Sequence, residues 1–113
     1  MRAVLPMVVL VCAFALPRHH PKGDGMRTLS GVVTDQDGRP IPHAAVQVED
    51  ERTLQMRSYI TEADGSFRFA LLSPDDDYDV RAVFDGIRSG KQTLSQFDSQ
   101  AKAKMRLTIR IPK

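Results

Sequence analysis

The stretch LSGVVTDQDGRPIPHAAVQV, residues 29–48, decides the fold. Its first half, extended back to Met26, alternates: Leu29, Gly31 and Val33 fall on one side, Thr28, Ser30 and Thr34 on the other. Period-two spacing in Leu, Val and Thr describes a half-buried strand. Asp35-Gln36-Asp37-Gly38 then supplies a tight turn, because an aspartate accepts bonds from the backbone ahead of it and Gly38 takes the positive φ that other residues resist. Pro40 and Pro42 keep the exit extended. Ala44, Val46 and Val48 alternate with Ala45, Gln47 and Glu49 as a second strand, closed by the charged run Glu49-Asp50-Glu51-Arg52.

Outward from this stretch the same pattern repeats. Residues 54–61 form a third strand, with Leu54, Met56 and Ile60 expected inward and Gln55, Arg57 and Tyr59 opposite. Glu62-Ala63-Asp64-Gly65 is a second Asp-Gly turn. Phe67, Phe69 and Leu71 then alternate with Ser66, Arg68 and Ala70 as a fourth strand, expected to pair with the third as a hairpin. Residues 73–77 are polar and turn-like, and Tyr78, Val80, Ala82 and Phe84 alternate with Asp79, Arg81, Val83 and Asp85 as a fifth strand. Gly86 and Gly90 bracket a short segment containing Ile87, and residues 91–94 suit a small edge strand. Residues 95–104 read as a loop or one helical turn with Phe97 tucked inward. Met105, Leu107, Ile109 and Ile111 against Arg106, Thr108 and Arg110 form the last strand. Short strands at roughly ten-residue spacing, with no amphipathic helix of useful length, describe an all-β antiparallel sandwich.

A chain of 113 residues fits one domain. Its 42% hydrophobic content is globular, and its 27% charge mixes both signs. A net charge of +2 is too small an excess for a nucleic-acid binder, so no nucleic-acid partner is expected. Residues 1–15 differ from the rest: Arg2, the apolar run 3–13 and Ala13-Phe14-Ala15 read as a secretory signal peptide with its cleavage site. That run is shorter than the about 20 residues of a membrane-spanning helix, so no stable membrane insertion is expected after cleavage. Cleavage removes the single cysteine, Cys12, and leaves no disulfide. Lipidation of Cys12 is disfavoured by Val11, which stands where a small residue is wanted. Residues 16–25 read as a flexible leader and 26–113 as the folded domain. His19-His20 in the leader is read as a solvated tail, because a stable metal site holds three or four ligands rigidly. The location expected is secreted or periplasmic.

Gly31-Val32-Val33-Thr34-Asp35, Gly38-Arg39-Pro40-Ile41-Pro42 and Ala44-Ala45-Val46, followed by Thr61-Glu62-Ala63-Asp64-Gly65-Ser66-Phe67, resemble the two turn motifs of carboxypeptidase regulatory-like domains. Leu72, Tyr78-Asp79-Val80 and Gly86-Ile87 resemble that family's third landmark. The resemblance covers about residues 29–111. It implies a seven-stranded antiparallel Greek-key β-sandwich of the prealbumin-like type, used as an accessory module beside other proteins. Two departures stand out. His43 occupies a place where the family most often has glycine, and Asp75-Asp76-Asp77 stands where it often has glycine before the Tyr strand.

Little in the sequence looks like chemistry. Asp35, Asp37 and Gly38 resemble the start of a calcium loop, and Asp75, Asp76, Asp77 and Asp79 are weak metal candidates. Calcium needs six to eight converging oxygens, whereas Asp35, Asp37, Gly38, Pro40, Asp64 and Gly65 sit where tight turns need those same residues. Hydrolysis would require Ser30, Ser58 or Ser89 to meet His43, the only histidine of the folded part, so no enzyme and no cofactor are expected. Sugar binding wants exposed aromatic planes. There is no Trp, Tyr78 falls inward, and only Tyr59 is left as a platform. The last stretch carries Lys102, Lys104, Arg106, Arg110 and Lys113 with no acid, so Tyr59, Arg106 and Arg110 are the candidate partner face. The reading favoured is an exported, non-catalytic interaction or structural module whose partner is another envelope or extracellular protein. The alternative is a ligand-binding domain for carbohydrate or Ca²⁺.

Overall fold

The structure, a computed structural model, describes residues 26–98 and 100–112. The signal-peptide and leader readings fall on residues 1–25 and lie outside the described residues. Among the described residues eight strands follow one another: β1 (Arg27–Thr34), β2 (Ala45–Asp50), β3 (Met56–Ile60), β4 (Ser66–Leu72), β5 (Tyr78–Phe84), β6 (Ile87–Arg88), β7 (Gln92–Leu94) and β8 (Lys102–Thr108). They form a three-stranded sheet in the order β4-β1-β8 and a five-stranded sheet in the order β3-β2-β5-β6, with β7 also on β5. The fold is an all-β sandwich of prealbumin-like type. The expected count of seven becomes eight because one edge strand is interrupted: β6 and β7 both pair with β5 and are separated by Ser89, Gly90 and Lys91.

Alternation builds the core. Leu29, Val33, Phe67, Phe69 and Leu107 of one sheet face Val46, Val48, Tyr78, Val80, Ala82 and Leu94 of the other, all buried. Gly31 also faces inward, and a Cβ there would lie 1.8 Å from the Met105 carbonyl oxygen and 2.8 Å from the Phe67 ring. The missing side chain lets β1 lie between its two neighbours. β1 pairs antiparallel with β4 but parallel with β8, so the sandwich is not wholly antiparallel as expected. The β5–β6 hairpin turns on Asp85 (φ 53°) and Gly86 (φ 79°), the left-handed pair that a two-residue hairpin demands.

Four local expectations are corrected. β3 pairs with β2, and β4 pairs with β1, so the second Asp-Gly turn crosses between the sheets rather than closing a hairpin. On β3, Val46 lies opposite Tyr59 and Val48 opposite Arg57, which puts Tyr59 and Arg57 on the inner face. Leu54, Met56 and Ile60, expected inward, are 68%, 53% and 56% exposed. β3 is an edge strand, where the inner face needs only a ring lid: Tyr59 packs edge-on against Phe69 at 6.0 Å and the Arg57 guanidinium sits 5.7 Å over the same ring. Strict alternation places Leu71 inward, yet a bulge intervenes, since Leu29 lies opposite Phe69 while Arg27 lies opposite Leu72. Leu71 takes φ 61° and is exposed, and Leu72 is buried in its stead. Phe97, expected inward, is 86% exposed, and its loop is held instead by the buried Arg27, which donates to the Ser95 and Gln100 carbonyls at 2.9 and 3.2 Å.

Candidate functional site

The two Asp-Gly turns meet. In the first, Asp35 Oδ1 accepts the amides of Asp37 (2.8 Å) and Arg39 (2.9 Å), Asp37 pairs with Arg39 at 3.8 Å, and Gly38 takes φ 84°. In the second, Asp64 Oδ1 accepts the Ser66 amide at 3.0 Å, and the Ser66 hydroxyl and amide hold the Asp64 carboxyl below its ordinary range. Gly65 takes φ 78°, and its carbonyl accepts the Val33 amide at 2.8 Å. A Cβ on Gly65 would lie 2.7 Å from the Val33 carbonyl oxygen and 3.0 Å from Pro40. The buried Thr61 completes the junction: its hydroxyl donates to the Ile41 carbonyl at 2.7 Å and accepts the Ala44 amide at 2.9 Å. These residues tie one sheet to the other, and their polar groups face the protein's own backbone.

The acidic run at 75–79 is spread over several tasks. Asp76 is buried and accepts both arms of Arg52, at 2.8 and 3.2 Å, and the guanidinium holds its carboxyl below the usual carboxylate range. Asp77 Oδ1 accepts the Gln96 amide at 2.7 Å, while its carbonyl accepts the Glu51 amide at 2.9 Å. Asp79 accepts the Thr93 hydroxyl at 3.3 Å and lies 3.7 Å from Lys91. A hydrogen bond with Asp79 pushes the Glu51 carboxyl above its ordinary value. Asp75 is exposed, and its amide donates to the Ser73 hydroxyl at 3.1 Å. Among the described residues no group of three or more His, Asp and Glu converges as a metal site.

The other sequence candidates are also placed. His43 is exposed with φ 63°, the left-handed conformation that explains why glycine suits this position. Ser89 is buried, accepts the Ala82 amide at 2.8 Å and donates to the Gly90 carbonyl at 2.9 Å. The Tyr59 hydroxyl donates to Glu62 at 2.7 Å, a bond that pushes its pKa up, and its ring is engaged with Phe69 rather than offered as an outer platform. Tyr59 and Arg106 do not share a face: one points between the sheets from β3, the other outward from β8.

Arg106 stands in other company. The β1 register sets Arg68 and Lys104 on either side of Ser30, Ser66 and Arg106 on either side of Val32, and Lys102 beside Thr28. Leu29, Phe67, Phe69 and Leu107 point inward, so these alternate residues form the outer face of the three-stranded sheet. Arg68, Lys102, Lys104 and Arg106 are all exposed on it, interleaved with hydroxyls, and no carboxylate occupies a strand position of that face. Among the described residues none of these cations makes an ion pair. Arg110 is exposed beyond the end of β8. Arg68 escapes a reading of the sequence, because only the pairing of β4 with β1 brings it beside residues more than thirty positions away.

The two sheets and their internally satisfied turns make this a prealbumin-like β-sandwich module. Its family model, the carboxypeptidase regulatory-like domain, matches residues 28–111, and the chain belongs to that family. No curated protein matches the sequence. Among solved structures, the chain resembles catechol 1,2-dioxygenase from Acinetobacter sp. ADP1 at TM-score 0.58 and 14% identity, over 75% of this chain and 52% of that one. It also resembles a DUF3823 family protein from Parabacteroides merdae (TM-score 0.54, 20% identity, 75% and 46% of the two chains). A third likeness is to a D312A form of BcpA, the major pilin subunit of Bacillus cereus (TM-score 0.59, 8% identity, 75% and 30%). The chain thus spans about half of the dioxygenase and under a third of the pilin, and at these identities the likeness is one of fold.

Proposed function

We propose that this protein is an exported, non-catalytic interaction module, acting in the periplasm or outside the cell, which docks an acidic surface of another envelope or extracellular protein. The observation that carries this reading is the outer face of the three-stranded sheet, where Arg68, Lys102, Lys104 and Arg106 stand together without a carboxylate. Like charges gathered on one rigid face raise the local potential and favour an anionic partner. The family's regulatory-like, non-catalytic character and the presence of the fold in a pilin subunit support an accessory role. The signal-like residues 1–15 support export.

The test compares the secreted protein with a Lys102→Glu/Lys104→Glu/Arg106→Glu variant in crosslinking to envelope and extracellular proteins at low and high salt. A specific crosslinked partner with an acidic surface, weakened by salt and abolished by the charge reversal, is expected. A partner whose crosslinking ignores both salt and the variant would overturn the reading.

A further inference from the structure

The sandwich has four strand edges, and three of them are blunted in the ways that discourage strand addition. On β8, Lys102, Lys104 and Arg106 flank the edge, and the Gln92 side chain donates to the Arg106 carbonyl at 2.6 Å. The β6/β7 edge is broken into pieces of two and three residues. On β4 the bulge at Leu71 disturbs the ladder, and the Arg57 guanidinium occupies the Ala70 carbonyl. β3 is the least protected: its one charged residue, Arg57, points between the sheets and is engaged with the Phe69 ring and the Ala70 carbonyl. It runs for five residues without bulge, proline or lysine, and its outward side chains are Met56, Ser58 and Ile60.

The hydrogen-bond phase of β3 says which of its backbone groups are open. Asp50 donates to the Gln55 carbonyl and Thr61 donates to the Ala44 carbonyl, both at 2.9 Å. In an antiparallel ladder bonding alternates residue by residue, so 55, 57, 59 and 61 face β2. Met56, Ser58 and Ile60 therefore turn their N–H and C=O groups to the open edge.

We propose that this edge takes a second copy of the same chain, antiparallel about a two-fold axis at Ser58. The open phase fits this axis, because Ser58 meets Ser58 and Met56 meets Ile60 at bonded positions. The side chains fit as well. Exposed Met56 and Ile60 cover each other across the axis, and Arg57 of one copy lies beside Tyr59 of the other, whose hydroxyl is bonded to the carboxylate of Glu62. Apolar meets apolar, cation meets an aromatic ring backed by an acid, and no like charges stand directly opposite each other. Leu54, exposed in the left-handed conformation at φ 65°, stands just before the strand and extends the apolar rim. The result is one sheet continuous through both copies. An interface of one short edge strand is small, so the dimer is weak.

The test is the solution mass of the secreted protein across a concentration series, by light scattering or sedimentation. The parent is expected to pass from monomer to dimer. Ser58→Pro removes only an N–H that points away from β2, and should stay monomeric at all concentrations with an unchanged circular dichroism spectrum. Ile60→Lys sets a cation opposite Met56 of the other copy in place of the apolar contact and should do the same, and it decides the matter if the proline variant does not fold. A parent that remains monomeric throughout the series would overturn the proposal, as would a dimer that persists in the folded variants.

Discussion

The two outer faces of the sandwich are made by the same device and differ in content. On the three-stranded sheet, alternate residues turn Lys, Arg, Ser and Thr outward, and no acid occupies a strand position of that face. On the five-stranded sheet the rows are mixed: Ile60, Ala45 and Val83 stand in one row, Ser58, Gln47 and Arg81 in the next, Met56, Glu49 and Asp79 in the third. The inner faces of both are nearly uniform in their apolar character, because packing dictates them. The difference between the outer faces teaches that packing does not set them: one is basic and hydroxylic, the other mixes both charges and is apolar chiefly at Met56 and Ile60 on its β3 edge. Substitutions can break either sheet separately or the junction that joins them.

The largest effect is expected at Gly31. Gly31→Ala drives a Cβ into the Met105 carbonyl and should cost about 4 kcal/mol or more, seen as loss of a cooperative thermal transition. Because the β1–β8 pairing fails, the basic face is lost with it. Arg27→Met should cost about 2–3 kcal/mol in chemical denaturation, since a buried cation that ties two carbonyls of the 95–101 loop is removed. Thr61→Val cuts the junction between the sheets, leaving the Ala44 amide and the Ile41 carbonyl without their partner, for about 1–3 kcal/mol by the same measurement. His43→Gly should go the other way, raising stability by about 0.5–1 kcal/mol as left-handed strain is relieved against a more flexible unfolded chain.

The mildest effect is one of pH. Arg52 depresses the Asp76 carboxyl in the fold, so its contribution to stability is present above about pH 4, its unfolded range, and is lost as the pH falls through the lower folded value. Urea midpoints measured from neutral to acid pH should fall less steeply for Asp76→Asn than for the parent. An equal slope would show that the pair is without influence.

Much of the fold was legible because turns announce themselves. Gly38 and Gly65 take the positive φ of tight turns, and the strands containing Val46, Val80 and Leu107 bury most of the residues their alternation selects, with Phe84, Met105 and Ile111 half-buried. What was not legible depends on pairing. Nothing local says that the turn at Gly65 changes sheets, that β8 runs parallel to β1, or that Leu71 will be skipped at a bulge. On β3 both alternate sets are plausible inward residues, Leu54, Met56 and Ile60 or Arg57 and Tyr59. The edge position decides for the second, because a ring and a guanidinium can close over Phe69 while keeping their polar ends wet. The site was the least legible part. The eye-catching aspartates at 75–79 serve Arg52, Gln96, Thr93 and Lys91, while Arg68 joins the basic face only after the chain has folded.

The claim that binding belongs to the sheet face and not to the acidic loop is tested most directly by following backbone amide resonances while adding polyglutamate and, separately, Ca²⁺. The account predicts that polyglutamate moves the resonances of 28–32, 66–70 and 102–108 in a salt-dependent way, and that Ca²⁺ leaves 75–79 in place. Saturable shifts at 75–79 with Ca²⁺, together with a silent three-stranded sheet, would contradict it.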